Sequence, residues 1–132
     1  MLEAKLEEIL EWLINLGLFA KEAHWNLRGP EFFYAHPMFD ELHSDVNGYA
    51  DLIAERARAT ELYLGPKISY AMSKEAITFS RAVNFLKGNL KGLQGTLNSA
   101  ILNTDDLATQ DTLIEVKRGI DKWLWMFSES SR

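Results

Sequence analysis

Apolar residues fall at Leu2, Leu6, Ile9, Leu13, Leu16, Ala20 and Ala23, in steps of three and four. That is the period of one helix face held for about seven turns. A strand alternates faces every second residue and cannot use this pattern. The spacing predicts a helix over about residues 2–27, stopped by Arg28-Gly29-Pro30. A second stripe, Phe39, Leu42, Val46, Tyr49, Ile53 and Ala57, predicts a helix over about 37–64. Pro37 suits its first turn and Gly65-Pro66 its end. A third helix is expected over about 77–102. A fourth is expected over about 111–127, where Leu113, Val116, Ile120, Leu124 and Phe127 share a face. Asn103-Thr104-Asp105-Asp106 reads as a capping loop. Residues 67–74 form a connector with room for a short helix between helices 2 and 3. The fold class is therefore all-α, a single domain over 1–132 built as a four-helix bundle with one long crossover.

Composition narrows the chemistry. The chain has no cysteine, which removes disulfides, zinc-thiolate sites and thiol nucleophiles. A net charge of −5 favours cations as ligands over polyanions as partners. No apolar run approaches the ~20 residues of a membrane span, and Met1-Leu2-Glu3-Ala4 lacks a positive leader region. A soluble, cytoplasmic protein is the expectation. Gly88, Gly92 and Gly95 punctuate the third helix. They fit either local helix weakness or close approach of another element, and Lys87 and Lys91 argue against a membrane-packing role.

Five residues carry the candidate chemistry: His24, His36, Asp40, Asp51 and Glu55. Imidazole with carboxylate suits a redox-active first-row metal such as iron. His36 with Asp40, and Asp51 with Glu55, are i, i+4 pairs on one helix face. On an ideal wheel this polar stripe lies about 140° from the apolar one, so it faces sideways rather than into the bundle. Asp40 and Asp51 are about 16 Å apart along the axis, too far to share one ion. The pairs 36/55 and 40/51 share the midpoint 45.5. A second copy lying antiparallel about that point would bring His36 and Asp40 of one chain against Asp51 and Glu55 of the other. Ser44, Asn47 and Gly48 are small enough there for close approach. Two equivalent sites would form per dimer, with His24 joining from the first helix. A lone His on such a face is more often a packing residue, and an acidic stripe more often a solvated face. Paired spacings sharing one midpoint are what favour metal binding. His43 reads as an interface or surface residue. Glu41, Asp45 and Glu61 read as solvated charges. Trp12, Trp123 and Trp125 read as anchors. Trp25 is expected to pack, with a second role as an oxidisable aromatic beside the metal.

The segment His24-Trp25-Asn26, Gly29-Pro30, Phe32-Phe33, His36, Phe39-Asp40-Glu41 and Asp51-x-x-x-Glu55 resembles the signature of the Dps family, the mini-ferritins. Asp111-Thr112 and the run from Ile120 to Trp125 are similar to that family's last helix. The resemblance implies a ferritin-like bundle assembled as a hollow homododecamer from two-fold dimers. It implies an iron-storage and detoxification protein, a ferroxidase that oxidises Fe(II), with hydrogen peroxide as the favoured oxidant. The di-iron centre would lie between subunits, with His24, His36 and Asp40 from one chain and Asp51 and Glu55 from its mate. Zinc would be able to substitute for iron. Ferric mineral would collect in the cavity.

Many members of that family bind DNA through a basic terminal arm. Here Lys5 is the first cation and Ser128-Glu129-Ser130-Ser131-Arg132 closes the sequence, so DNA binding is expected to be weak or absent. Asp105 and Asp106 are available as pore carboxylates. Two other readings compete. A ferritin with its di-iron site inside each subunit calls for Glu-x-x-His pairs, and the nearest match is Asp40-x-x-His43. A shell-forming structural or DNA-protecting protein with little ferroxidase activity is the other.

Overall fold

A computed structural model describes residues 2–132. Four helices form on the apolar stripes: α1 (Leu2–Asn26), α2 (Phe32–Ala59), α3 (Phe79–Leu102) and α4 (Leu107–Ser130). α1 packs chiefly on α2 and α3 on α4, and α1–α3 and α2–α4 contacts close the bundle. Leu13, Phe39, Ile53, Leu90, Leu113 and Phe127 are fully buried where the stripes meet. A two-residue parallel ladder, β1 (Leu27–Arg28) with β2 (Ile77–Thr78), ties the end of α1 to the start of α3. Among the described residues no helix is long and apolar enough to cross a membrane.

The second helix departs from its expected bounds at both ends. It begins at Phe32, which puts Pro37 inside the helix rather than in its first turn. Proline there withholds the hydrogen bond otherwise given to the Phe33 carbonyl. Phe33 stands 92% exposed, so the loss falls at the solvent side. The helix ends at Ala59, five residues before the expected stop. Leu62 N–H donates to the Ala57 carbonyl at 2.9 Å and Glu61 N–H to Arg58 at 3.0 Å. This is the paired closure that usually uses a left-handed glycine. Glu61 takes that conformation instead, at φ 68°, so the usual glycine signal is absent and Gly65-Pro66 lies downstream. The fourth helix starts earlier than expected because Asp106 caps it, accepting from Thr109 N–H at 2.9 Å.

The connector after α2 contains no helix; residues 62–74 have no regular structure. Its backbone groups are met by α1 side chains. Asn15 Oδ1 accepts from Ser69 and Tyr70 N–H at 2.9 and 2.8 Å, and Asn15 Nδ2 donates to the Lys67 carbonyl at 3.0 Å. Glu22, buried on α1, accepts from Ser73 N–H, Ser73 Oγ and Lys74 N–H at 3.1, 2.7 and 3.2 Å, and from the Tyr70 hydroxyl. Burial pushes the Glu22 carboxyl up, but the hydrogen bonds from Tyr70, Ser73 and Lys74 outweigh it and hold the pKa below its ordinary 4.5. The contribution of Glu22 to stability is complete above that ordinary value. It is lost as pH falls through the lower folded one.

Gly92 and Gly119 leave no room for a side chain. A Cβ on Gly92 would lie 2.7 Å from Trp12 Cη2 and 2.9 Å from Cζ2, so the third helix makes room for that indole. Gly88 and Gly95 meet nothing within 4 Å. The close-approach reading therefore applies at Gly92 and not at the other two within this chain. On α4, the Tyr49 hydroxyl occupies the space that a Cβ on Gly119 would need.

Two outcomes follow from this packing. Gly119→Ala should lose about 1–3 kcal/mol in urea unfolding, the usual cost of overpacking. Adding Tyr49→Phe should recover part of it, because the clashing hydroxyl is gone. Glu22→Gln turns donors toward donors. Amide exchange at Ser73 and Lys74 should quicken at least tenfold while helix content by circular dichroism stays unchanged.

Candidate metal centre

The α1–α2 turn brings the two histidines together. His24 sits in the last turn of α1 and His36 in the second turn of α2. Each ring bonds the other residue's backbone: His24 Nδ1 to the His36 carbonyl and His36 Nδ1 to the His24 carbonyl, both at 2.6 Å. The His24 carbonyl belongs to a helix end, where carbonyls lack partners in the next turn. The rings stack with centroids 3.9 Å apart and planes 13° from parallel, and Phe32 stacks on His36 at 4.9 Å.

This exchange fixes the tautomers. A carbonyl can only accept, so each Nδ1 must carry a proton, and a ring in its neutral form has its lone pair on Nε2. Among the described residues neither Nε2 has a hydrogen-bond partner. Both imidazoles therefore turn Nε2 away from the backbone, with the Nδ1–H held by a carbonyl as ligating histidines commonly are.

Asp40 lies one turn beyond His36 and is half-exposed. Its Oδ1 accepts from Lys21 Nζ at 2.5 Å. That hydrogen bond and the Lys21 charge hold the Asp40 carboxyl below its ordinary value, against a smaller effect of burial. Lys21 is the residue that sequence reasoning missed. Its position three residues before His24 was the available signal, since it places both on one face of α1.

Asp51 and Glu55 lie further along α2 and are exposed. They do not reach the histidines within the chain. Among the described residues no three His, Asp or Glu side chains gather closely enough to hold a metal ion. One chain therefore presents two separated donor groups on the outward face of α2, with carboxylates and neutral imidazoles suited in type to iron.

The neighbouring residues have separate work. His43 donates from Nδ1 to the Gly17 carbonyl at 2.8 Å and accepts at Nε2 from Asn47 at 3.0 Å, so it joins α2 to α1. Asp45, expected to be merely solvated, accepts from the buried Trp123 indole N–H at 2.9 Å and links α2 to α4. Trp123 is a core anchor, whereas Trp25 and Trp125 are exposed. Asp106 is committed to capping α4 and to Arg56, 2.9 Å away.

Comparison with known proteins places the chain as a whole. A family pattern described as a ferritin-like domain matches residues 3–130. The chain is 30% identical to the DNA protection during starvation protein of Brevibacillus brevis over 133 aligned positions, covering 90% of this chain and 86% of the relative. The structure of Dps from Microbacterium arborescens in a high iron form superposes with a TM-score of 0.81 at 28% identity, covering 96% of this chain and 91% of that one. A Listeria innocua Dps structure does so with a TM-score of 0.89 at 26% identity, covering 97% and 92%. A bundle of this shape, matched in sequence over nearly its whole length, belongs to the Dps family of ferritin-like proteins.

Proposed function

We propose that this protein oxidises and stores iron, at centres that each need two copies of the chain. The observation that carries the reading is the reciprocal His24–His36 bond, which readies two imidazole lone pairs beside an incomplete set of carboxylates. Asp51 and Glu55 of a second copy complete the set when the two α2 helices lie antiparallel about residues 45 and 46. The relative solved in a high iron form supports iron as the substrate.

In the reaction two Fe(II) ions supply one electron each to hydrogen peroxide. The O–O bond breaks, the oxygens leave as water or hydroxide, and hydrolysis of the two Fe(III) products releases protons. The carboxylates offset the added ferric charge, while the imidazoles set affinity for Fe(II). The oxidised iron is stored as mineral within a shell built from these dimers, a homododecamer. Removing Fe(II) and peroxide together limits hydroxyl-radical chemistry.

The DNA protection named for the Brevibacillus relative is assigned here to that chemistry rather than to DNA coating. The chain carries a net charge of −5, which disfavours phosphate contact.

Asp51→Ala with Glu55→Ala should slow peroxide-driven Fe(II) oxidation, followed in the near ultraviolet, by roughly 10–100-fold. Circular dichroism should remain that of the parent; oxidation at the parental rate would refute the ligand assignment. In gel-shift titrations with plasmid DNA at ~0.15 M salt the protein should leave the DNA unshifted, and a salt-resistant shift would favour the DNA-coating reading.

A further inference from the structure

We infer that Lys21 is a resident counter-charge that holds the metal-free interface between two copies together and withdraws when metal binds. The inference rests on the two-chain centre proposed above. Lys21 Nζ lies 2.5 Å from Asp40 Oδ1, and the two side chains are 31% and 48% exposed. The pair therefore sits at the rim of the chain, on the same face as His24, rather than in the core.

In the paired arrangement each centre gathers Asp40 of one chain with Asp51 and Glu55 of the other. Without metal this is three carboxylates beside two imidazoles. Like charges so placed oppose association. Lys21 is the cation already bonded to one of the three, and its ammonium lowers the net charge of the empty centre from three negative to two. An incoming divalent ion supplies more positive charge and competes with Lys21 for the Asp40 carboxylate. The ammonium then leaves Asp40 by simple exchange, with no covalent bond made or broken. Lys21 thus makes assembly independent of iron supply, at the expense of tightness of the first metal bound.

The test compares the parent protein with Lys21→Gln and Lys21→Arg. Assembly is read by native mass spectrometry over a dilution series, in EDTA and with Co(II) as a divalent probe; Co(II) affinity is read by calorimetry. The parent should assemble in EDTA. Lys21→Gln should dissociate at about tenfold higher protein concentration in EDTA, recover with Co(II), and bind Co(II) about tenfold more tightly, the scale of one charge-assisted contact. Lys21→Arg should assemble in EDTA like the parent. Equal assembly and equal Co(II) affinity in Lys21→Gln would overturn the inference. Weakened assembly that Co(II) does not restore would also overturn it, because Lys21 would then be a packing residue only. Failure of the parent itself to self-associate, or unchanged Co(II) affinity in the Asp51→Ala, Glu55→Ala protein, would instead refute the two-chain centre.

Discussion

The exchange of hydrogen bonds between His24 and His36 is the constraint on which the site depends. It acts on two levels at once. Structurally it closes the α1–α2 corner, because each ring supplies a donor to the other helix's backbone at 2.6 Å. Chemically it settles where the protons are, because a carbonyl leaves the ring no choice of tautomer. A histidine held only by apolar packing could fill the same volume without being ready to bind. The same contact that joins α1 to α2 at the turn therefore also orients the donors.

The carboxylates obey a different logic. An α-helix carries Asp51 and Glu55 away from His36 at about 1.5 Å per residue, and nothing in a straight helix brings them back. The polar stripe on α2 runs beside the buried stripe of Phe39, Leu42, Val46 and Ile53. Bundle formation thus fixes the direction of the ligands without completing the centre. His43 and Asp45 reinforce that direction by bonding α2 to Gly17 on α1 and to Trp123 on α4, which sets the rotation of the helix about its axis.

Much of this was legible in the sequence. Three apolar stripes and a third helix expected over about 77–102 predicted four helices in the right order, and the spacing along α2 predicted that Asp51 and Glu55 stand apart from His36 within one chain. The misses have local causes. The end of α2 was misplaced because Glu61 adopts a backbone conformation for which glycine is the usual marker. The connector was given room for a helical turn because its hydrogen-bond partners, Asn15 and Glu22, lie about fifty residues away on α1. Asp45 was read as solvated because its partner, Trp123, is 78 residues distant. For Lys21 the spacing to His24 marks a shared face of α1, but nothing in the sequence marks its partner Asp40, which lies on another helix. Periodicity reports which face a residue occupies; it does not report what crosses from the next element.

The connector shows where this fold can drift in sequence and where it cannot. In the connector Asn15 bonds main-chain groups, those of Lys67, Ser69 and Tyr70. At Lys67, and at Ser69 short of proline, almost any side chain would be accepted, whereas Tyr70 is held through its hydroxyl by Glu22 as well. Two polar side chains on a regular helix thereby stand in for the turn grammar that an unstructured stretch would otherwise have to encode for itself. The selective burden moves from the wandering segment to Asn15 and Glu22, leaving the connector free to diversify its outer surface without losing its path.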